Sequence, residues 1–322
     1  MTTFLPTMRV VVITPAYQAE ATLGTALASV RCQTRPPDEV VIADDGSTDA
    51  TAELARGWAR FLPVTVVTTE RNAGPAAARR LAIESSSSDL IALLDADDVW
   101  LPDHLESMLA AYDTTDDGLS SADTRMWIPG AGLSRRTLSD RAPLPPDRDQ
   151  LLWLLRDNYL SISSLFSRSR YEAVGGFRPQ FRGTEDWDLW IRMVRAGAVV
   201  VRPDHPTVLY RLTPGNVSGD DALVRARADV LAAARREGGA EEHRVLRAAI
   251  RRNGAATQLF AAYAAAERGE AAAARLAGLR AARGIRPVAA RGLAMAVAPR
   301  WVARRRRALR YEPGVWMRRY GA

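Results

Sequence analysis

Three aspartates occur within four residues after an apolar run, in the stretch Asp89-Leu-Ile-Ala-Leu-Leu-Asp-Ala-Asp-Asp-Val-Trp100. Two carboxylates at positions i and i+2 after a strand can bind one hard divalent cation, and Asp95 and Asp97 have this spacing. Mg²⁺ or Mn²⁺ bound in this way stabilises a departing diphosphate. The same residues could form a plain turn that starts a helix, because Asp is common where strands end. The quartet alone leaves both interpretations open.

The chain around this quartet predicts alternating strands and helices. Short apolar or β-branched runs are typical of strands buried on both faces, and they occur at residues 9–13, 39–43, 64–68 and 90–94. Amphipathic helices are predicted between them, at about residues 22–32, 48–60 and 74–85. This alternation predicts an α/β fold in which helices cover a mostly parallel sheet.

Polar turns follow three of the predicted strands. They are Thr14-Pro-Ala-Tyr17, Asp44-Asp-Gly-Ser-Thr-Asp49 and Asp95-Ala-Asp-Asp98. Ligands of open parallel sheets bind at the carboxyl ends of the strands. We therefore expect the three turns to converge on one rim and to form one site.

The second half of this region has a weaker pattern. Residues 113–150 lose periodicity and contain several prolines, which predicts a mobile loop over the site or an excursion to a partner. Strand-like segments lie around 120–128 and 160–167. A helix is predicted from Glu185 to Arg195 and a strand from Thr207 to Arg211.

Composition and charge limit the class of protein. Hydrophobic residues make up 47% of the 322 residues, and Cys32 is the single cysteine, so no intrachain disulfide forms. Neither a secretion signal nor a membrane span is evident, which predicts a cytoplasmic protein. Residues 1–220 hold 22 Arg against 29 acidic residues, whereas residues 221–322 hold 22 Arg against 8. We expect one domain at 1–219 and an Ala- and Arg-rich helical region at 220–322.

Several sequence blocks, taken together in their order and spacing, carry a family resemblance. They are Ile13-Thr-Pro-Ala-Tyr-Gln-Ala-Glu20, Glu39-Val-Val-Ile-Ala-Asp-Asp-Gly-Ser-Thr-Asp49, Asn72-Ala-Gly-Pro-Ala-Ala-Ala-Arg79, Leu94-Asp-Ala-Asp-Asp98, Gly175-Gly-Phe177 and Glu185-Asp-Trp-Asp-Leu-Trp190. Over residues 9–218 the chain resembles a family 2 glycosyltransferase with a GT-A fold. The resemblance implies an inverting, metal-dependent enzyme that transfers one sugar from a nucleoside-diphosphate sugar to a hydroxyl acceptor. The QxxRW-type block of processive synthases is absent, which favours single additions.

The resemblance also implies roles for individual residues in donor binding. Asp95 and Asp97 would form the metal-binding DxD motif, and Asp45 would fix a turn. Gln18 departs from the Asn that is usual in the family at this position. The remaining residues implied in nucleotide or diphosphate binding are Thr14, Pro15, Tyr17, Glu20, Asp44, Arg79 and Arg211. His205 is a further candidate near the metal, although a lone His before Pro is more often a loop residue.

A second acidic pair is a candidate for acid–base chemistry. Glu185 and Asp186 resemble the family's ED motif, which implies that Asp186 is the base and Glu185 supports it. The alternative is an acidic first helical turn with Thr184 as its cap. Trp187 and Trp190 could stack on a sugar or belong to the core.

The basic tail and the rival functions remain open. Residues 296–322 have the arginine and aromatic content of a helix on anionic lipid, although a solvated helix or an oligomer contact fits equally well. No nucleic-acid-binding module is evident, and the acceptor is expected to be a saccharide or a lipid-linked molecule.

The enzymatic rival, a sugar-nucleotide pyrophosphorylase, needs a Gly-rich basic loop that Thr14-Pro-Ala-Tyr-Gln18 does not provide. The non-enzymatic rival is a catalytically silent module that binds a nucleotide sugar and recruits partners through the tail.

Overall fold

The computed structural model describes residues 8–113, 115, 117–130, 132–212, 221–282, 288–299 and 302. The chain divides into two compact units, one formed by residues 1–154 and 158–212, the other by residues 155–157 and 213–322. The expected domain boundary at residue 219 and most of the basic tail lie outside the described residues. Each unit is considered by itself below.

The first unit contains strands and helices in alternation. Its strands are β1 (Val10–Ala16), β2 (Glu39–Asp44), β3 (Val64–Thr68), β4 (Leu90–Leu93), β5 (Val99–Trp100), β6 (Leu119–Ser121), β7 (Asp123–Ile128), β8 (Gly132–Thr137), β9 (Ser164–Ser167), β10 (Val200–Val201) and β11 (Pro206–Arg211). Its helices are α1 (Leu23–Arg31), α2 (Thr51–Gly57), a 3-10 turn (Trp58–Arg60), α3 (Pro75–Glu84), α4 (His104–Tyr112), α5 (Asp147–Leu154), α6 (Arg168–Ala173) and α7 (Glu185–Arg195).

Seven strands form the main sheet, in the order β10-β6-β9-β4-β1-β2-β3. The pairings of β1 with β2 and β4, of β2 with β3 and of β6 with β10 are parallel, whereas β9 is antiparallel to both neighbours. The apolar runs of β1, β2 and β4 are buried because these strands lie inside the sheet. The expected burial of residues 64–68 on both faces is wrong, since β3 is an edge strand and only partly buried.

Helix α1 shows how periodicity determines packing. Leu23, Leu27 and Val30 recur at helical spacing and are fully buried, so one face of the helix packs into the core. The same core contains Val10 and Val12 of β1. The predicted helices at 22–32 and 74–85 agree with α1 and α3, while the one at 48–60 is shorter and ends in the 3-10 turn.

The strand-like segment expected around 120–128 is confirmed by β6 and β7, whereas the mobile loop expected over the rest of residues 113–150 is wrong where β8 and the start of α5 lie. The described part of this segment forms β6, β7, β8 and the first residues of α5. Strands β7 and β8 join β5 and β11 in a second sheet, in the order β5-β11-β7-β8. The sequence pattern of this sheet is weak because β8 is largely exposed and β7 pairs with β11, which lies about eighty residues further along the chain.

The second unit is mainly helical over its described residues. It contains α8 (Asp221–Glu237), α9 (Ala240–Glu267), α10 (Ala271–Ala281) and α11 (Val288–Val297). Small side chains from α9 and α10 pack with Met295 of α11 in one apolar core. No helix in the described part of the chain is both long and apolar enough to cross a bilayer.

Gly46 in the turn after β2 is predicted to be important for the stability of the fold. Its φ is +74°, and an added Cβ would lie 2.9 Å from backbone atoms of Arg71. We expect Gly46→Ala to lower the free energy of unfolding by about 1–3 kcal/mol, because an L-residue is strained at this φ. Urea denaturation measures the change. The control is Gly24→Ala in α1, where the nearest atom lies 4.0 Å away, and an equal loss in both variants would contradict the prediction.

Candidate active site

The three aspartates after β4 form one acidic cluster. Oxygens of Asp95, Asp97 and Asp98 all lie within 4.8 Å of one another. Burial, with the nearby charge of Asp95, raises the pKa of Asp97 to about 6. Burial and the same kind of repulsion raise the pKa of Asp98 well above its ordinary value. So much negative charge in one place is stable only when a cation or a proton compensates it.

The chain supplies part of that compensation through Arg211, the last residue of β11. Its backbone N–H donates to Oδ1 of Asp98 at 3.0 Å, and its Nε donates to the carbonyl oxygen of Asp97 at 2.7 Å. The guanidinium lies 4.1 Å from the ring centroid of Trp127. Arg211 therefore attaches the second sheet to the acidic turn. Its predicted contact with the diphosphate stays a prediction.

Arg79 links the acidic cluster to the second acidic pair. It lies in α3 and is 4% exposed; Nη2 donates to Oδ1 of Asp95 at 2.6 Å, and Nη1 donates to Oε1 of Glu185 at 2.7 Å. Burial alone lowers the pKa of an arginine, but the charges of Asp95 and Glu185 raise the pKa of Arg79 above its ordinary value. This one guanidinium holds the turn after β4 against the first turn of α7.

Asp186 has the environment of a group that can exchange a proton near neutral pH. Burial, followed by the charge of Glu185, raises its pKa to about 7. Its Oδ2 accepts from Nδ2 of Asn158 at 3.0 Å, and its Oδ1 accepts from the N–H of Trp187 at 2.7 Å. Glu185 is held in turn by the N–H of Gly183 at 2.6 Å. The carboxylate of Asp186 is thus fixed in orientation and half-buried.

The predicted nucleotide-binding residues lie at the carboxyl ends of β1 and β2, as the parallel topology requires. Thr14 is buried, and its hydroxyl has no hydrogen-bond partner among the described residues. Pro15 is half-buried, whereas the Tyr17 side chain is 51% exposed. Asp44 is buried and accepts from the N–H of Ser47 at 3.3 Å. Their contacts with a nucleotide remain predictions.

The turn after β1 is joined to the turn after β2 by side chains. Gln18 has a φ of +50°, a conformation in which Asn is more common than Gln. Its Oε1 accepts from the N–H of Thr48 at 2.8 Å, which holds the residue in place. Glu20 accepts from the N–H of Ala50 at 2.9 Å. The departure from Asn at this position therefore leaves the two turns connected.

Asp45 fixes a turn, as expected. Its carboxylate accepts from the N–H groups of Ala73 and Gly74 at 2.9 and 2.7 Å and from the hydroxyl of Thr69 at 3.0 Å. These bonds hold the segment before α3 against the end of β2. The position of Arg79, five residues after Gly74, depends on them.

Three alternatives that the sequence left open are decided here. Trp187 and Trp190 are 1% and 0% exposed, so both belong to the core and neither can stack on a sugar. Thr184 precedes α7, but its hydroxyl donates to the carbonyl oxygen of Phe181 and makes no capping bond to the helix. His205 lies between the carboxylates of Asp204 and Asp103, which raise its pKa, and it is not part of the acidic cluster.

Two residues of the site were missed by sequence reasoning. Asp98 was visible in the quartet, but the i, i+2 spacing directed attention to Asp95 and Asp97. Asn158 gave no signal, because a single Asn in a segment without periodicity is indistinguishable from a loop residue. Only the fold brings it to Asp186.

The family can now be decided by comparison. Residues 11–175, about half of the chain, match the family model described as Glycosyl transferase family 2. The chain belongs to this family. A second model, described as the N-terminal domain of galactosyltransferase, matches residues 156–213. The protein is a glycosyltransferase, and the predicted family is confirmed.

Similar proteins agree with this assignment. The succinoglycan biosynthesis protein ExoU of Rhizobium meliloti is 41% identical over 214 residues, which are 62% of this chain and 60% of that protein. The amylovoran biosynthesis glycosyltransferase AmsE of Erwinia amylovora is 24% identical over 195 residues, 60% of this chain and 71% of that protein.

Solved structures confirm the GT-A fold. TarS 1-349 of S. aureus, in complex with UDP-GlcNAc, has a TM-score of 0.62 at 16% identity and covers 94% of this chain and 92% of its own. The mannosyltransferase PcManGT of Pyrobaculum calidifontis, in complex with GDP-Man and Mn²⁺, has a TM-score of 0.56 at 22% identity, with coverage of 97% and 84%.

Removal of the Arg79 charge is predicted to lower the free energy of unfolding far more than removal of the Arg80 charge. Arg79→Met leaves Asp95 and Glu185 without their shared partner, and we expect a loss of about 3–5 kcal/mol in the free energy of unfolding. Arg80→Met is the control, since the Arg80 pair with Glu84 is exposed and of little consequence. Chemical denaturation of both variants measures the difference, and equal stability would show that the bridge contributes nothing.

Proposed function

We propose that the protein is an inverting, divalent-metal-dependent glycosyltransferase that moves one sugar from a nucleoside-diphosphate sugar to a hydroxyl acceptor. The observation that carries this proposal is the arrangement of two acidic groups around one buried arginine. The cluster of Asp95, Asp97 and Asp98 suits a cation, and Asp186 suits a proton acceptor. Arg79 connects the two groups.

The acidic cluster fits a hard divalent cation. Its donors are all carboxylate oxygens, which Mg²⁺ and Mn²⁺ prefer. The buried Oδ2 of Asp98 has no hydrogen-bond partner among the described residues, and such an orphaned acceptor is costly without a cation. Asp97 and Asp95 would hold the ion, with Asp98 beside them. When bound, the cation supplies charge neutralisation for the leaving diphosphate.

The donor would bind along the carboxyl ends of β1, β2 and β4. Tyr17 and Pro15 offer accessible surface for the base or ribose. The other residues proposed on this side are Thr14, Glu20, Asp44, Arg79 and Arg211. Arg79 contributes by holding Asp95 in position, because both of its Nη atoms are already engaged by carboxylates.

Asp186 is proposed to be the base, with Glu185 as the group that positions it. The acceptor oxygen would bond to the anomeric carbon while the bond to the diphosphate breaks, and the hydroxyl proton would pass to Asp186. A carboxylate whose pKa is about 7 is a better proton acceptor than one with an ordinary value. The hydrogen bonds from Asn158 and the N–H of Trp187 stabilise the charged form and so limit the rise of the pKa.

The named relatives indicate the biological setting. ExoU and AmsE are named for succinoglycan and amylovoran biosynthesis. We therefore propose a role in the synthesis of a surface polysaccharide or glycoconjugate, with a saccharide or a lipid-linked molecule as acceptor. A cytoplasmic location at the inner face of the membrane would fit such acceptors.

Loss of the base should separate catalysis from binding. We expect Asp186→Asn to lower kcat by about 10²–10⁴-fold and to leave the Kd of the donor unchanged. The matched control is Asp113→Asn, which alters an exposed carboxylate at the end of α4 and should leave both constants unchanged. If Asp186→Asn keeps full transfer activity, another residue is the base. If neither wild type nor variant transfers sugar although both bind donor, the protein is a silent binding module.

The pH profile gives an independent check of the same residue. A base acts only when deprotonated, so at saturating metal kcat/KM should fall about tenfold for each pH unit below the pKa of about 7. Asn158→Ala removes a donor to the charged carboxylate and should therefore move this limb to higher pH. A profile that is flat between pH 5 and 8 would contradict the assignment.

The cluster itself is tested by metal and donor together. We expect binding of one donor from a panel of UDP-, GDP- and dTDP-sugars to require Mn²⁺ or Mg²⁺ and to be lost in EDTA or in Asp97→Ala. Calorimetric titration of the metal with and without donor measures this directly. The control is Asp204→Ala, an almost fully exposed aspartate outside the cluster. Donor binding that persists unchanged in EDTA would show that the three aspartates form a plain turn and do not bind a metal for the donor.

A further inference from the structure

The described part of the helical unit exposes large apolar side chains in one place only. Among the described residues, seven large apolar side chains are exposed, and three of them, Tyr17, Phe61 and Leu133, are scattered over the first unit. The other four lie on α10 and α11, and we name them the α10–α11 apolar face: Leu276, Leu279, Leu293 and Val297. Their exposed fractions run from 51% to 77%. Single exposed apolar residues are ordinary, but four on two neighbouring helices require an explanation.

The face is fixed by the packing of the two helices. Gly278 and Gly292 allow a close crossing, since a Cβ on either would lie 2.8 or 2.6 Å from backbone atoms of the other helix. On the opposite sides, Ala274 and Ala277 of α10 and Met295 of α11 pack into the core shared with α9. The exposed stripes therefore point away from that core and stay accessible within this unit.

The charged residues within α10 and α11 are all arginines. Arg275 and Arg280 are exposed and stand four residues from Leu279 and Leu276, so they border the stripe on α10. Residues 271–322 contain 13 arginines and a single acidic residue, Glu312. A surface with leucine and valine in the middle and arginine at the border matches a bilayer interface with anionic headgroups. A second copy of the same face would instead bring like charges together.

We propose that the α10–α11 apolar face binds the surface of an anionic lipid bilayer, with Leu276, Leu279, Leu293 and Val297 inserted at the headgroup level and the bordering arginines against lipid phosphates. This site lies in the described helices and is distinct from the predicted tail at 296–322, of which it includes only Val297. It does not rest on the proposed function, because vesicle binding is measured without donor or turnover.

The test uses the full-length protein with vesicles of phosphatidylcholine alone and of phosphatidylcholine with phosphatidylglycerol, at low and high salt. Co-sedimentation should occur only with the anionic vesicles and should weaken as salt rises. Replacement of the four apolar residues by Gln should weaken binding at least about tenfold. Arg275→Gln and Arg280→Gln should each weaken it by about fivefold. Leu133→Gln, which removes an exposed leucine of the first unit, is the control and should bind as wild type.

Other occupants and surfaces give different results. Wild-type binding in the quadruple variant, together with loss of binding on changing Arg304–Arg307 to Gln, would assign lipid binding to the tail and overturn the proposal. Absence of vesicle binding, with a dimer in sedimentation velocity that the quadruple variant converts to a monomer, would assign the face to a second copy. An unchanged circular dichroism spectrum and unchanged thermal denaturation show that the variants are folded, so that lost binding reports on the face itself.

Discussion

The buried guanidinium of Arg79 is the interaction on which the site depends. Asp95 and Glu185 are 16 and 106 residues away in the chain, and both converge on this one cation. Without it, the turn after β4 and the start of α7 would bring several carboxylates together with no internal positive charge between them. A buried charge pair of this kind contributes little net stability compared with an apolar core, but loss of one partner is severe. The Arg79 guanidinium instead fixes the position of the two acidic groups relative to each other.

The parallel sheet determines where that convergence occurs. β1, β2 and β4 run side by side in one direction, so their carboxyl ends bring three turns from distant parts of the sequence to one rim. Asp45 then ties the segment before α3 to the end of β2, which sets the position of Arg79. On the other side, Arg211 ties the second sheet to the acidic turn. Each connection is polar, short in range and made by a residue near the end of a strand or helix.

The sequence was informative where signals are local. Buried strands such as residues 39–43 and helices such as α1 have strong periodicity, so their types were predicted and only their ends differ. The strands at 120–128 and 207–211 were predicted, but their assembly into a second sheet was not, because it depends on the pairing of β7 with β11, which no window of the sequence contains. The sequence left open whether Trp187 and Trp190 stack on a sugar or belong to the core, since helical spacing alone does not say which face meets the core. The contact of Asn158 with Asp186 could not be predicted either, because only the fold brings these two residues together.

The two acidic groups show how the surroundings give one residue type two different electrostatic environments. In both, burial is the first cause that raises the pKa, of Asp97 to about 6 and of Asp186 to about 7. Asp97 shares its space with two further carboxylates, a repulsion that a divalent cation relieves better than a proton because it compensates several charges at once. Asp186 has one acidic neighbour, Glu185, which is already paired with Arg79. It also accepts single bonds from Asn158 and a backbone N–H, which leave it a site for one proton. The difference lies in the neighbours, and it supports the proposal of a cation at the first group and of a proton acceptor at the second.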